Sequence, residues 1–156
     1  MGGSAFTQKN YAAAQKYYLR ALEANEKGYG EMSTQVATSL MPLAQMFYMQ
    51  KQYDQAEPYL LRAVRIYDSP PLQGDNMAMM PVDALAHLYE TWGKPEKAQP
   101  LEQRIITTIE KLYGPDSRFL VPVLTRQAQS LRSLGRREDA AQIEKRIQTI
   151  QATASN

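Results

Sequence analysis

The sequence predicts an all-α solenoid, and three observations carry that prediction. Four alanines, Ala14, Ala56, Ala98 and Ala140, stand 42 residues apart, and an arginine follows each by six positions: Arg20, Arg62, Arg104 and Arg146. The chain is rich in Ala, Leu, Gln, Glu, Lys and Arg, the residues that lose least on entering a helix. Turn and capping residues recur at the same period. A period of this size means that each repeat buries its apolar face against its neighbours, as in a stacked array. It occupies almost all of the 156 residues, so the sequence predicts one domain.

Each period accommodates two helices. Ser33, Asp75 and Ser117 are in register and are good N-caps, because a side-chain oxygen can accept from an orphan N–H of the first turn. They predict first helices at about 34–50, 76–92 and 118–134, closed by turns at Lys51, Gly93 and Gly135. The second helices, about 11–28, 53–67, 95–112 and 137–151, carry Asp54, Glu96 and Glu138 in their first turns, where the helix dipole favours an anion. Ala12 takes that place in the first copy. Gly30 and Gly114 suit the left-handed residue after a helix end, and Ser69-Pro70-Pro71 is the stop of the intervening repeat.

Packing is written in further columns. Ala44, Ala86 and Ala128 lie mid-way along the first helices and pair with the alanine column of the second helices, letting axes approach closely. Leu40, Val82 and Leu124 fill one flank, and Phe47, Tyr89 and Leu131 the other. Pro42, Pro81 and Pro122 fall at different registers of the first helices and should each kink or delay the helix, Pro42 most deeply.

These features resemble the tetratricopeptide repeat (TPR), and the 42-residue period is similar to that of its kinesin light chain subclass. The likeness rests on Lys51-Gln52-Tyr53-Asp54-Gln55-Ala56-Glu57-Pro58-Tyr59-Leu60-Leu61-Arg62-Ala63-Val64 for the turn and second helix. Glu110-Lys111-Leu112-Tyr113-Gly114-Pro115-Asp116-Ser117 matches the repeat junction, and Leu43-Ala44-Gln45-Met46-Phe47-Tyr48 the first helix. The resemblance covers about residues 9–151. It implies a right-handed superhelix of about seven antiparallel helices: a half repeat at 9–30 and repeats at 31–72, 73–114 and 115–151. Residues 1–8 are then a tag scar or the remnant of a helix, and 152–156 a tail. Ala5 falls one period before Phe47, so the register places most of a first helix upstream and suggests a piece of a longer array.

The resemblance also implies a concave groove made by the first helices. Its positions here are Met41, Gln45 and Tyr48, then Asp83, His87 and Glu90, then Thr125, Gln129 and Arg132, with Thr38, Met49, Met80, Thr91, Pro122 and Ser133 beside them. Spacings of three and four put each set on one helical face. Met and Tyr supply adaptable apolar contact, and the polar residues orientation, for a peptide. The family's groove asparagine is absent, Met41, Asp83 and Thr125 standing in its place, so no cargo preference is carried over. The opposing reading is a solvated inner face.

Other chemistry finds little support. No cysteine is present, which excludes disulfides and thiolate sites, and the compartment stays open. The one histidine, His87, has no second His or Cys with which to build a transition-metal site; it reads as a groove or surface histidine paired locally with Asp83 and Glu90. No nucleophile and base pairing, phosphate loop or cofactor motif is recognisable.

The net charge of +2 is too balanced to argue for a polyanion, and no apolar run suits a membrane span. The arginine column is expected to lay stems along neighbouring helices and keep its heads in water. The basic cluster Arg132, Arg136, Arg137, Lys145 and Arg146 is interleaved with Glu138, Asp139 and Glu144, which favours a solvated face over a nucleic-acid footprint. Trp92 and most tyrosines read as packing residues, with Tyr48 facing the groove.

The functional expectation is a non-catalytic protein-interaction module with no cofactor and no metal, binding a peptide or partner surface, with no nucleic acid and no membrane. The alternative is a spacer or self-association unit with contacts at exposed helix ends.

Overall fold

Described residues in this computed structural model are 11–70, 72 and 76–153. The expectations for residues 1–8, Ala5, Pro71, the cap Asp75 and the last residues of the tail lie outside them. Among the described residues there are seven α-helices and no strand. They are α1 (Tyr11–Tyr29), α2 (Thr34–Met49), α3 (Tyr53–Asp68), α4 (Met79–Thr91), α5 (Pro95–Tyr113), α6 (Leu120–Ser133) and α7 (Arg137–Thr153), with a 3-10 turn at Asn76–Ala78. The chain divides into two compact units, Met1–Leu88 and Tyr89–Asn156, with the boundary inside α4.

The first helices end as the turn column predicts. Lys51, Gly93 and Gly135 adopt φ of 60°, 73° and 76°, the left-handed conformation that lets the chain reverse. The reversal is locked by a bond reaching five residues back, from the N–H of Gln52 to Phe47 O (3.0 Å), of Lys94 to Tyr89 O (2.8 Å) and of Arg136 to Leu131 O (2.9 Å). This is the Schellman arrangement, which satisfies carbonyls that a helix end otherwise leaves bare. The residues after these turns serve α3 and α5 as N-caps with no side-chain bond, Gln52 and Lys94. One turn therefore closes the first helix and starts the second.

At the other junction, Ser33 Oγ accepts from Val36 N at 3.3 Å, confirming its cap on α2. Ser117 does not cap α6. Its Oγ accepts from Phe119 N at 3.3 Å instead, and the helix starts only at Leu120. Pro122 explains the delay. A proline lacks the N–H for the ladder and costs least in the first turn, and a start at Leu120 makes it the third helical residue. Pro81 has the same place in α4, which begins at Met79 after the 3-10 turn. Pro42 remains inside a continuous α2. Pro58 and Pro100, 42 apart in α3 and α5, are further interior prolines that stand in register.

Both alanine columns are buried: Ala14, Ala56, Ala98 and Ala140 in the second helices, and Ala44, Ala86 and Ala128 in the first. So are the flanks Leu40, Val82, Leu124, Phe47, Tyr89 and Leu131. In the first unit, Leu22, Val36, Leu40, Leu43, Ile66 and Tyr67 form a core closed by Ala78 of the 3-10 turn, with Tyr18, Met41 and Tyr59 packed against it. In the second, Ala128, Leu131 and Ala140 pack with Ile143.

Two members of the arginine column, Arg62 and Arg146, depart from expectation, because their heads are bonded rather than left in water. Arg62 pairs with Glu26 at 2.5 Å and donates to Glu31 O at 3.3 Å. Arg146 repeats this 84 residues later, with Glu110 at 2.6 Å and Pro115 O at 2.8 Å. Each ties its helix to the previous second helix and to the loop that follows it.

The turn column gives a stability prediction. A non-glycine residue in the left-handed region is disfavoured, so Lys51→Gly should raise stability by about 0.5–1 kcal/mol. Gly93→Ala and Gly135→Ala should lower it by about 1 kcal/mol each. No atom lies within 4 Å of an added Cβ at either glycine, so those losses would report backbone conformation and not a clash. Urea denaturation of the three variants checks the signs.

Candidate functional site

In the first unit, Met41, Ala44, Gln45 and Tyr48 of α2, Leu60 of α3 and Ala84 and His87 of α4 line a cleft of about 270 Å³. Helix spacing explains the set. Residues 41, 45 and 48 lie on one face of α2, and 84 and 87 on one face of α4. Leu60, 4% exposed, forms the apolar floor. Tyr48 stands directly before the turn, its carbonyl accepting from Lys51 N at 2.9 Å, so the turn fixes where its side chain starts.

The mouth of the cleft is an aromatic group. The Tyr48 hydroxyl shares a hydrogen bond of 3.1 Å with His87 Nε2, and the two rings lie 5.6 Å apart. The Tyr53 ring is 5.7 Å from that of Tyr48. Of the groove residues named from the sequence, Met41, Gln45, Tyr48 and His87 are brought to this cleft. Asp83 sits half-buried one turn before His87 on α4.

In the second unit, Thr125, Gln129 and Arg132 share an exposed face of α6. Thr125 Oγ1 donates to Val121 O at 2.8 Å, Gln129 O accepts from Ser133 Oγ at 3.1 Å, and Arg132 pairs with Glu144 at 2.6 Å. Glu90 is held inward. Only 17% of its side chain is exposed, and its Oε1 lies 3.3 Å from Arg126 Nε. Trp92 is half-buried with the Lys94 ammonium 3.2 Å from its ring centre, a cation–π contact. The basic cluster is partly neutralised, Arg136 meeting Asp139 at 2.7 Å.

Sequence reasoning missed the buried partner of Glu90. Glu102 on α5 is fully buried and accepts from Ser130 Oγ at 2.7 Å. Burial pushes its carboxyl up to about 7, the Ser130 bond opposes that shift, and the charge of Glu90 and a hydrogen bond with it reinforce it; Arg126 opposes it more weakly. The signal was in the period: Glu102 stands one period after Leu60, Arg126 one after Ala84, and Glu90 one after Tyr48. Three apolar or aromatic positions of the first unit thus become a buried ionic cluster in the second. Among the described residues no group of three or more His, Asp or Glu side chains is placed to hold a metal ion, and no helix is long and apolar enough to cross a membrane.

Paired antiparallel helices stacked on small-residue columns, with a cleft between successive first helices, define the class of helical-repeat proteins. Within it, residues 1–69 match the family model of the tetratricopeptide repeat, and solved structures extend that fold over the whole chain. The crystal structure of BtubC (BKLC) from P. vanneervenii is similar over 99% of this chain and 62% of its own, with a TM-score of 0.83 at 18% identity. A putative kinesin light chain with nearly identical TPR-like repeats, from Podosopora anserina, is similar over 98% of this chain and 72% of its own, with a TM-score of 0.81 at 16% identity. A variant form of that second protein gives 0.80 at 16% identity, over 99% of this chain and 73% of its own. The chain therefore has the TPR fold in its kinesin light chain-like form, and it spans less than two thirds of BtubC. No curated protein sequence matches it.

The buried pair predicts a pH response. Glu102 holds its proton more tightly folded than unfolded, so its stabilising contribution is complete below about 4.5 and is lost as pH rises to about 7. Glu102→Gln keeps an acceptor for Ser130 and removes the charge. The variant should melt about 3–6 °C above the wild type at pH 8, and the gap should close towards pH 5. Thermal melts across that range measure it.

Proposed function

We propose that the chain is a non-catalytic protein-interaction module whose peptide-binding surface includes the Tyr48–His87 cleft. TPR folds generally serve as interaction or scaffold modules and are typically not enzymes, which supports the broad reading. The observation that carries the finer one is the cleft itself: a concave, mostly apolar recess with a polar pair, Tyr48 and His87, at its mouth. An apolar recess with a few placed hydrogen-bonding groups is what a side chain in a bound peptide needs. Gln45 and His87 are exposed beside it and can meet the peptide backbone. In the second unit, Thr125, Gln129 and Arg132 give α6 an exposed polar face of the same lineage, and Glu90 acts there through Arg126. The assignment of peptide-contacting faces extends to all nine residues named from the sequence, five on the first unit, Asp83 included, and four on the second.

A spacer or self-association role is the second reading, and one observation favours it. On α1, Tyr17 and Leu19 are 47% and 40% exposed, two large apolar side chains on different sides of the helix that a second copy could cover. A concentration-dependent dimer in light scattering, abolished by Tyr17→Ser with Leu19→Ser, would support that reading.

For the groove, peptides selected from a random phage-displayed library against the immobilised chain provide ligands. His87→Ala and Gln45→Ala, both at exposed positions, are expected to weaken the selected peptides about tenfold while helicity and melting stay nearly unchanged. Arg132→Ala measures the share of the α6 face. Affinities that survive all three substitutions would remove the groove assignment.

A further inference from the structure

The two units hold the same helix positions filled in opposite ways, and the contrast identifies what the open one accepts. Position by position, Tyr48, Leu60 and Ala84 of the first unit correspond to Glu90, Glu102 and Arg126 of the second. In the second unit the long Arg126 side chain lies among carboxylates, bridged to Glu90 at 3.3 Å and adjacent to the fully buried Glu102. That unit provides its own occupant. In the first unit the arginine position is Ala84, and both carboxylates are replaced, one by Leu60 and one by Tyr48. The space remains as the cleft of about 270 Å³.

Resting on the peptide-groove reading above, we propose that this cleft is a socket for one uncharged, apolar side chain of a partner peptide, with methionine and leucine side chains as its probes. The charge pattern makes the choice. A guest cation would meet Leu60, Ala44 and Met41 with no carboxylate among the lining residues, and would lose its hydration without compensation. A guest anion would face the same apolar floor, whereas an apolar guest loses only contact with water and gains dispersion contacts. Met41 is flexible enough to close around guests of somewhat different shape. The socket occurs once among these paired positions, because Arg126 and Glu102 occupy its counterpart. The peptide consequently carries one apolar anchor at this register, and polar contacts extend from it along Gln45 and His87.

Capped amino-acid amides test the socket apart from the peptide. N-acetyl-methionine amide and N-acetyl-leucine amide should shift the methyl resonances of Ala44 and Ala84 in titrations followed by NMR, and bind about tenfold tighter than N-acetyl-arginine amide. Ala84→Met fills the cleft from within, should melt no lower than the wild type, and should abolish those shifts together with binding of the phage-selected peptides. Leu60→Glu combined with Tyr48→Glu reproduces the second unit's carboxylates and should reverse the preference towards the arginine amide. If that double variant loses helicity, the Ala84→Met comparison alone decides. Equal shifts with all three amides, or selected peptides that bind Ala84→Met undiminished, would overturn the socket and leave the groove reading standing. Amide binding without any selectable peptide would remove the groove reading and, with it, the assignment of the guest to a peptide.

Discussion

The left-handed turn after each first helix is the constraint on which the rest depends. Its five-residue-back bond, from Gln52 to Phe47, Lys94 to Tyr89 and Arg136 to Leu131, ends one helix and aims the next within three residues. Because the loop has no slack, the alanine of the second helix arrives at a fixed height along the first. Small side chains then suffice to bring the axes together, and the larger flank residues are buried in each copy. Where Lys51 replaces glycine, the turn bonds of Lys51 N to Tyr48 O and Gln52 N to Phe47 O hold a conformation that the residue itself disfavours. The same turn sets the place of Tyr48, so the geometry of the cleft follows from the geometry of the reversal.

Within that frame, the two units differ where the period breaks. Columns that repeat, such as the alanines, are solutions to packing and are buried in both units. Columns that change sense are where the two units diverge: Leu60 against Glu102 and Ala84 against Arg126 turn an open apolar recess into a closed ionic one. The exchange is coordinated. An arginine at position 84 would lack the carboxylate that Glu90 offers Arg126, because Tyr48 stands at the corresponding place, so those two exchanges go together.

Much of this was legible in the sequence, for reasons the structure makes plain. Helix limits followed from residues whose backbone demands are local, such as Gly114 with its φ of 88° or Ser33 with a hydroxyl placed for an N–H. Ser117 misled because a cap signal competed with a proline five residues on, and the proline governs where a helix can begin. The pairing of the Arg62 and Arg146 heads was not legible, since a bond with Glu26 or Glu110 depends on how one second helix lies against the previous one. The groove residues of α2 came to the cleft because one helix carries them at a known spacing. Glu102 escaped notice because a charged residue on a helix is ordinarily solvated, and only comparison with Leu60 one period earlier marks its position as interior.

The paired arginines have a further consequence. Each compact unit is held by two kinds of attachment: apolar contact within helix pairs, and at Arg62 or Arg146 a charged tie from one second helix back to the preceding one. Moderate ionic strength screens the second kind, while strongly excluded salts reinforce the first. The weakest seam of a unit is therefore set by the medium. In dilute buffer the ties at Arg62 and Arg146 add to the packing of their helices, and in screening salt that addition is the part that fades.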